Sequence, residues 1–191
     1  MRATRCLPIL IALTACVPAP PPQPLVTLPE TARIEGAGDP VRGAVISSAY
    51  VFGQPASIAG DAAAGAEALA RLEYLAVELA AGPRWVGLDP LVAPMLAQGR
   101  TEARAAFGLD PNAPPQRAID ALYATAAALR EGDRARAASA LAPLTGTERA
   151  DATIARFAAF PTLPTAAAAT ARAQSAMNAM DSGRGRQPWL F

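Results

Sequence analysis

The sequence predicts an all-α fold, either a small alanine-rich helical bundle or a short solenoid-like array of about six to seven helices. Between residues 39 and 181, apolar side chains recur every three or four positions, which is the spacing of one face of an α-helix. Alanine supplies much of this apolar surface and is the best helix former. Proline and glycine divide the region into short segments, and none of these segments shows the apolar–polar alternation of a strand.

The first two helices are predicted from their start and stop signals. Asp39-Pro40 combines an N-cap residue with a first-turn proline and opens a short helix that ends near Phe52. The second helix is predicted from Ile58 or Asp61 to Ala80 and has the clearest pattern in the chain. Its apolar face carries Leu69, Leu72, Ala76 and Leu79, and its opposite, polar face carries Glu67, Arg71, Tyr74 and Glu78.

Two helices follow in the middle of the domain. Asp89-Pro90 repeats the start signal, and Pro94 is expected to kink the third helix or to delay its start. Gly108 and Pro111 end that helix. A fourth helix opens within residues 112–115, and its apolar face carries Ile119, Leu122, Ala126 and Leu129.

Three shorter patterns complete the domain. Gly132-Asp133 is a tight turn into a fifth helix that is expected to end at Pro143. Thr145-x-x-Glu148 has the form of a capping box and predicts the start of a sixth helix. A last alanine-rich helix is predicted from about Thr165 to Asp181, so residues 182–191 are expected to form a flexible tail.

The fourth and fifth helices, residues 118–131 and 133–141, resemble one helix–turn–helix unit of a tetratricopeptide-type array. The resemblance implies a solenoid in which such units stack on one another. No second copy is evident at the 34-residue period of these arrays, and stacking needs about three copies. A helical hairpin arising by chance is therefore the alternative.

The first sixteen residues have the layout of a secretory signal. Arg2 and Arg5 form a basic head, an apolar run extends from Cys6 to Leu13, and Leu13-Thr14-Ala15-Cys16 closes the segment. These last four residues resemble the lipobox of bacterial lipoproteins. The resemblance implies that residues 1–15 are removed and that the Cys16 thiol carries a diacylglyceryl group.

Two other interpretations of this segment fit less well. A transmembrane anchor needs about 20 apolar residues, and far fewer lie between Arg5 and Pro18. Ordinary signal cleavage after Ala19 would make Pro20 the first residue of the mature chain, and peptidases of that kind reject proline at this position. A soluble secreted protein is the alternative to lipidation at Cys16.

Residues 16–38 are predicted to form a lipidated, proline-rich tether that precedes the helical domain of residues 39–181. Its prolines favour extended polyproline geometry, at about 3.1 Å per residue, and hold the domain away from the bilayer. Val17 follows Cys16, where an aspartate would resemble an inner-membrane retention signal. The expected location is therefore the outer membrane of a bacterial envelope, with the domain facing the periplasm.

The composition excludes most familiar catalytic and metal chemistry. The chain has no histidine, all 17 basic residues are arginine, and Cys16 is the only cysteine after the signal. Zinc sites of the usual kind, serine–histidine–aspartate triads and lysine bases are therefore excluded. We expect no enzyme, no cofactor and no metal. With a net charge of +1, the chain also lacks the basic surface that nucleic-acid binding requires.

The connection between the second and third helices carries Arg84-Trp85, two residue types that are favoured at binding hot spots. Together with Tyr74 and Glu78 on the preceding helix, they are predicted to bind a protein partner. The alternative is that Trp85 fills the space between thin, alanine-lined helices. The stretch from Leu72 to Leu91 is similar to uncharacterised helical lipoproteins of alphaproteobacteria, and this resemblance implies no activity.

Glu73 lies on the flank of the second helix, between its apolar and polar faces. A half-buried carboxylate can act as a general acid, and glycosidases pair two such groups. Glu78 and Asp89 are the nearby carboxylates that could complete a pair. The alternative for Glu73 is a solvated or arginine-paired acid.

The tail from Gly183 to Phe191 combines two arginines with Trp189, Leu190 and Phe191. Three large apolar residues in a row are unusual on a soluble surface. The tail is therefore expected either to dock on its own domain or to act as a short linear ligand for a partner.

These observations favour a non-enzymatic, lipid-anchored helical adaptor or assembly module that binds a protein partner in the periplasm. The residues predicted to contact this partner are Tyr74, Glu78, Arg84, Trp85, Trp189 and Phe191. A carrier that holds an apolar ligand in a groove between helices is the alternative. A carboxylate-based enzyme acting on cell-wall glycans is a remote one.

Overall fold

The computed structural model describes residues 26–32 and 38–184, and over these residues the predicted all-α fold is confirmed. There are seven α-helices in the described part of the chain: α1 (Pro40–Gly53), α2 (Ala62–Ala81), α3 (Val92–Phe107), α4 (Pro115–Arg130), α5 (Arg134–Thr145), α6 (Thr147–Ala158) and α7 (Pro164–Arg184). Single 3-10 turns precede α1 and lie on either side of α2, at Glu30–Ala32, Pro55–Ile58 and Pro83–Trp85. None of the described helices is both long enough and apolar enough to cross a membrane.

The helices form a bundle around α2, which contacts α1, α3, α4 and α6. Fourteen of the 20 residues of α2 are buried. Of its predicted polar face, Glu67 and Tyr74 are buried. Four neighbouring helices surround α2, so its polar face is largely enclosed by the bundle. The α4–α5 hairpin forms as expected, and α5 in turn contacts α6.

Side-chain capping marks where the first two helices begin. The Asp39 carboxylate accepts a hydrogen bond from the Val41 N–H (3.0 Å), and Asp61 does the same for the Ala64 N–H at the start of α2 (2.9 Å). Pro94 lies in the first turn of α3, where its missing N–H leaves no bond unmade. The helix α3 begins at Val92, three residues after Asp89 and two before Pro94, so Pro94 lies within the helix.

Two predicted boundaries in the second half are wrong. Pro143 does not end α5, which continues to Thr145. Pro143 has no N–H to donate to the carbonyl of Ser139, four residues earlier. Ser139 is exposed, so water can bond to this carbonyl and the helix can continue. The capping box is absent because Thr145 is the last residue of α5 and its hydroxyl donates to the carbonyl of Leu141 (3.4 Å). Gly146, at a φ of 77°, makes the turn into α6 instead.

The two ends of the predicted domain also change. The helix α7 runs to Arg184, so the first three residues of the predicted flexible tail are helical. Part of the predicted tether lies on the domain: Val26 and Ala32 are buried, and the Thr27 N–H donates to the Gln116 side chain at the start of α4 (2.8 Å). Apolar burial of Val26 holds this segment against the helices.

The core combines close helix contacts at small residues with a few large side chains. A Cβ built on Gly65 would lie 2.6 Å from the carbonyl oxygen of Phe157, and one built on Gly99 would lie 2.9 Å from the Cα atom of Ala166. These glycines let α2 approach α6 and α3 approach α7. Three of the largest buried side chains are aromatic, and the ring centroids of Phe107 and Phe157 lie 5.1 Å apart with the ring planes tilted by 39°.

Candidate functional site

The candidate site is the connection between α2 and α3, residues 82–91, which we call the α2–α3 loop. Trp85 is folded back from this loop onto α2, where its Nε1–H donates to the carboxylate of Glu78 (3.0 Å). This arrangement requires glycine at position 82. A Cβ there would lie 2.6 Å from the Glu78 carbonyl oxygen and 2.8 Å from the Trp85 ring.

Arg84 ties the same loop to the start of α1. Its guanidinium forms an ion pair with Asp39, including a hydrogen bond of 3.2 Å from Nη1 to Oδ1, and it lies 4.6 Å from the centroid of the Trp85 ring. Burial alone would raise the pKa of Asp39. The hydrogen bonds from Arg84 and from the Val41 N–H, together with the charge of Arg84, outweigh burial and lower the pKa below its ordinary value of 3.8.

Tyr74 lies in the same group of side chains. Burial raises its pKa to about 12, the negative charges of Glu78 and Asp39 act in the same direction, and Arg84 partly opposes them. The phenol is therefore neutral at physiological pH, beside an aspartate and an arginine that are both ionised.

The structure thus brings together the four predicted partner-binding residues of the domain. Tyr74 and Trp85 are each only 7% exposed, which favours the space-filling alternative for Trp85. Glu78 is half-buried, and the Arg84 side chain is 53% exposed. Of these four residues, Arg84 is the one that offers most of its side chain to a partner.

Sequence reasoning missed the two large apolar residues that the α2–α3 loop exposes. Val86 is 83% exposed and Leu91 is 51% exposed. Between Val86 and Leu91, Asp89 attaches the loop to α7. The Nε–H of Arg172 donates to Oδ2 of Asp89 (2.8 Å). The sequence offered one sign of exposed loop residues, because Val86 precedes Gly87 and Leu91 follows Pro90. Only the fold shows that Trp85 is buried while the adjacent Val86 is exposed.

A surface groove of about 590 Å³ lies between the α2–α3 loop and α7. Its lining includes Gly87 and Asp89 from the loop, and Arg172, Ser175, Ala179 and Met180 from α7. The groove is therefore polar at the Asp89–Arg172 pair and apolar towards the C-terminal end of α7.

Glu73 is an arginine-paired acid, as one of the two alternatives predicted. Its carboxylate, in a residue only 3% exposed, accepts hydrogen bonds from Arg104 Nε (2.6 Å) and Nη2 (2.7 Å). The third nitrogen of Arg104 donates to the carbonyls of Asp110, Pro111 and Ala113. Since Glu78 holds Trp85 and Asp89 holds Arg172, each of the three carboxylates considered for glycan chemistry has its own structural donor.

A second group of charges lies between α2 and α4. Glu67 forms ion pairs with Arg71 (3.0 Å) and with Arg130, beside Tyr123, whose pKa burial raises to about 12. Within residues 26–32 and 38–184, no three potential metal-ligating side chains come close enough together to hold an ion.

The other predicted site residues, Cys16, Trp189 and Phe191, lie outside the described residues. No protein-family model, curated protein or solved structure is significantly similar to this chain.

The Asp39–Arg84 pair gives a prediction about pH. Because the pKa of Asp39 is lowered in the folded state, its ionised form stabilises the fold above pH 3.8, and this contribution is lost as the pH falls through the folded-state value. The variant Asp39→Asn keeps a good N-cap residue but removes the charge. We expect it to lower the free energy of unfolding by about 1 kcal/mol or less at pH 7, as is typical of exposed pairs, and by less at pH 3.

Urea denaturation of both proteins at the two pH values measures this difference. A difference that grows on acidification would contradict the assignment, because it would mean that Asp39 is better stabilised when protonated.

Proposed function

We propose that this protein is a lipid-anchored helical adaptor of the bacterial envelope that binds a protein partner through the α2–α3 loop. Arg84, Val86 and Leu91 are the contact residues. The observation that carries this proposal is that the loop is tied to α1, α2 and α7 by its polar and aromatic side chains, yet presents Val86 and Leu91 to solvent.

A fixed loop with exposed apolar residues suits recognition. Loops positioned by a rigid scaffold often carry function, and a loop that is already ordered loses little conformational entropy on binding. Complete burial of a valine or leucine side chain contributes about 1.5–3 kcal/mol, and arginine is favoured at binding hot spots. The proposal gives a structural role to Trp85, Glu78 and Tyr74. They hold the loop against α2 and do not contact the partner.

The anchor sets where this binding takes place. In the proposal, Cys16 carries the lipid and residues 17–25 connect it to Val26, which lies on the domain. Nine residues span at most about 30 Å, so the domain stays close to the bilayer surface. The partner is therefore expected in the same membrane or immediately beside it.

Site-specific photocrosslinking in the native host tests the proposal. A photoreactive amino acid replaces Val86 in the full chain, and the control carries it at Ala124, an exposed position on α4. We expect a discrete adduct with another protein from position 86 that is absent from position 124. The further change Leu91→Asp, at a half-exposed residue, should strongly reduce this adduct.

Three outcomes would contradict the proposal. The first is the same adduct pattern from both positions, and the second is an adduct that Leu91→Asp leaves unchanged. The third is an adduct that consists only of a second copy of this chain, which would indicate self-association instead of recruitment.

A further inference from the structure

The groove between the α2–α3 loop and α7 has one end against the last turns of α7, directly before the segment of residues 185–191. Met180 and Ala179 line this end, and Gly87 faces them from the loop. Small residues leave room for a ring, and a methionine thioether makes favourable contacts with aromatic side chains. The groove is open to solvent between the α2–α3 loop and α7.

The segment that follows α7 has the size and composition to fill it. Residues 189–191 are Trp-Leu-Phe, the largest apolar cluster in the sequence after α7. Trp189 lies five residue steps after Arg184, and five extended steps span at most about 17 Å. The distance back along α7 from Arg184 to Ser175 is about 14 Å at the helical rise of 1.5 Å per residue. Trp189 can therefore reach any point of the apolar end.

We propose that the segment 185–191 folds back onto its own domain and places Trp189 in the groove, against Met180 and Ala179 and beneath the α2–α3 loop. The contact is intramolecular. It would bury an indole that is otherwise exposed to water, which is favourable in proportion to the apolar area removed. The contact requires neither a lipid nor a partner, so it stands or falls independently of the proposed function.

The chain has two tryptophans, Trp85 and Trp189, so a fluorine label on tryptophan gives two resonances and makes this proposal measurable. The full chain is labelled with 5-fluorotryptophan, and its two ¹⁹F resonances are assigned with Trp189→Phe. Protection from a water-soluble paramagnetic agent reports burial, and Trp85, only 7% exposed, is the buried reference in the same spectrum. We expect Trp189 to show protection that approaches that of Trp85.

The matched variants both place arginine on exposed positions of α7. Ala179→Arg fills the groove, whereas Ala171→Arg lies outside its lining. We expect Ala179→Arg to remove the protection of Trp189 and Ala171→Arg to leave it unchanged, with the Trp85 resonance unmoved in both. Should Ala179→Arg disturb Trp85, Ser175→Arg, also exposed and also in the groove, provides the same test.

Three results would overturn the proposal. A Trp189 resonance as accessible as free tryptophan would show that no docking occurs. Protection that persists in Ala179→Arg and Ser175→Arg would show that the Trp189 indole is buried outside the groove, either on another face of the domain or in a detergent micelle. Protection that is lost on dilution of the unmodified chain would show that the groove belongs to a second copy.

Discussion

Replacement of Arg104 by methionine is expected to lower the free energy of unfolding by about 3–5 kcal/mol, the usual cost of removing one partner from a buried ion pair. Arg104 and Glu73 are only 6% and 3% exposed. Without the guanidinium, the Glu73 carboxylate stays buried between α2 and α3 with no opposite charge. The carbonyls of Pro111 and Ala113 lose their donor as well.

Two further variants separate the buried charge from ordinary packing, with chemical denaturation followed by circular dichroism as the measurement. The double variant Glu73→Leu with Arg104→Met removes both charges, and we expect it to recover part of the loss. Arg134→Met breaks an exposed pair with Asp151, whose side chain is 67% exposed, and should cost less than about 1 kcal/mol. Equal losses in Arg104→Met and Arg134→Met would contradict the assigned role of the buried pair.

The second large effect is expected at Gly65, where α2 and α6 meet. Gly65→Ala places a Cβ 2.6 Å from the carbonyl oxygen of Phe157, a backbone atom that can move only with the helix end. Alanine in a helix normally gains up to about 1 kcal/mol over glycine. Overpacking typically costs about 1–3 kcal/mol and is expected to exceed that gain.

Gly53→Ala is the matched control for this change. Gly53 is the last residue of α1, and a Cβ there meets no atom within 4 Å. We expect Gly53→Ala to be neutral or slightly stabilising, and Gly65→Ala to lower the melting temperature. If both variants gained stability, the close approach of α2 and α6 would be wrong.

The helices were predictable because their ends depend on neighbouring residues. Asp39, Asp61 and the glycine at position 108 act within one turn of the chain, and the structure places helix ends beside each of them. Pro143 shows the limit of this reasoning, since a proline removes only one hydrogen bond and an exposed carbonyl can bond to water instead. The helix therefore continued where the local pattern predicted a stop.

The candidate site was predictable in position but not in orientation. The pattern indicated the segment around Arg84-Trp85, and the structure groups it with Tyr74 and Glu78 as expected. Which side chains face outward depends on contacts distant in sequence, such as Arg84 with Asp39 and Asp89 with Arg172. In the same way, the partner of Glu73 lies 31 residues away, on another helix.

The docking of Val26 also depends on tertiary structure. Its proline-rich surroundings favour an extended chain and predict a free spacer. The structure instead buries Val26 and bonds the neighbouring Thr27 backbone to Gln116 of α4. No local pattern distinguishes this short apolar stretch from the rest of the tether.

In the proposed function, the domain acts while it is attached to a bilayer by lipid on Cys16. The mass of the N-terminal peptide, measured on protein isolated from the membranes of its native host, tests it most directly. We predict a chain that begins at Cys16 and carries the added mass of a diacylglyceryl group on its sulfur. An unmodified chain that begins near Ala19 or Pro20, or one that still begins at Met1, would contradict the claim.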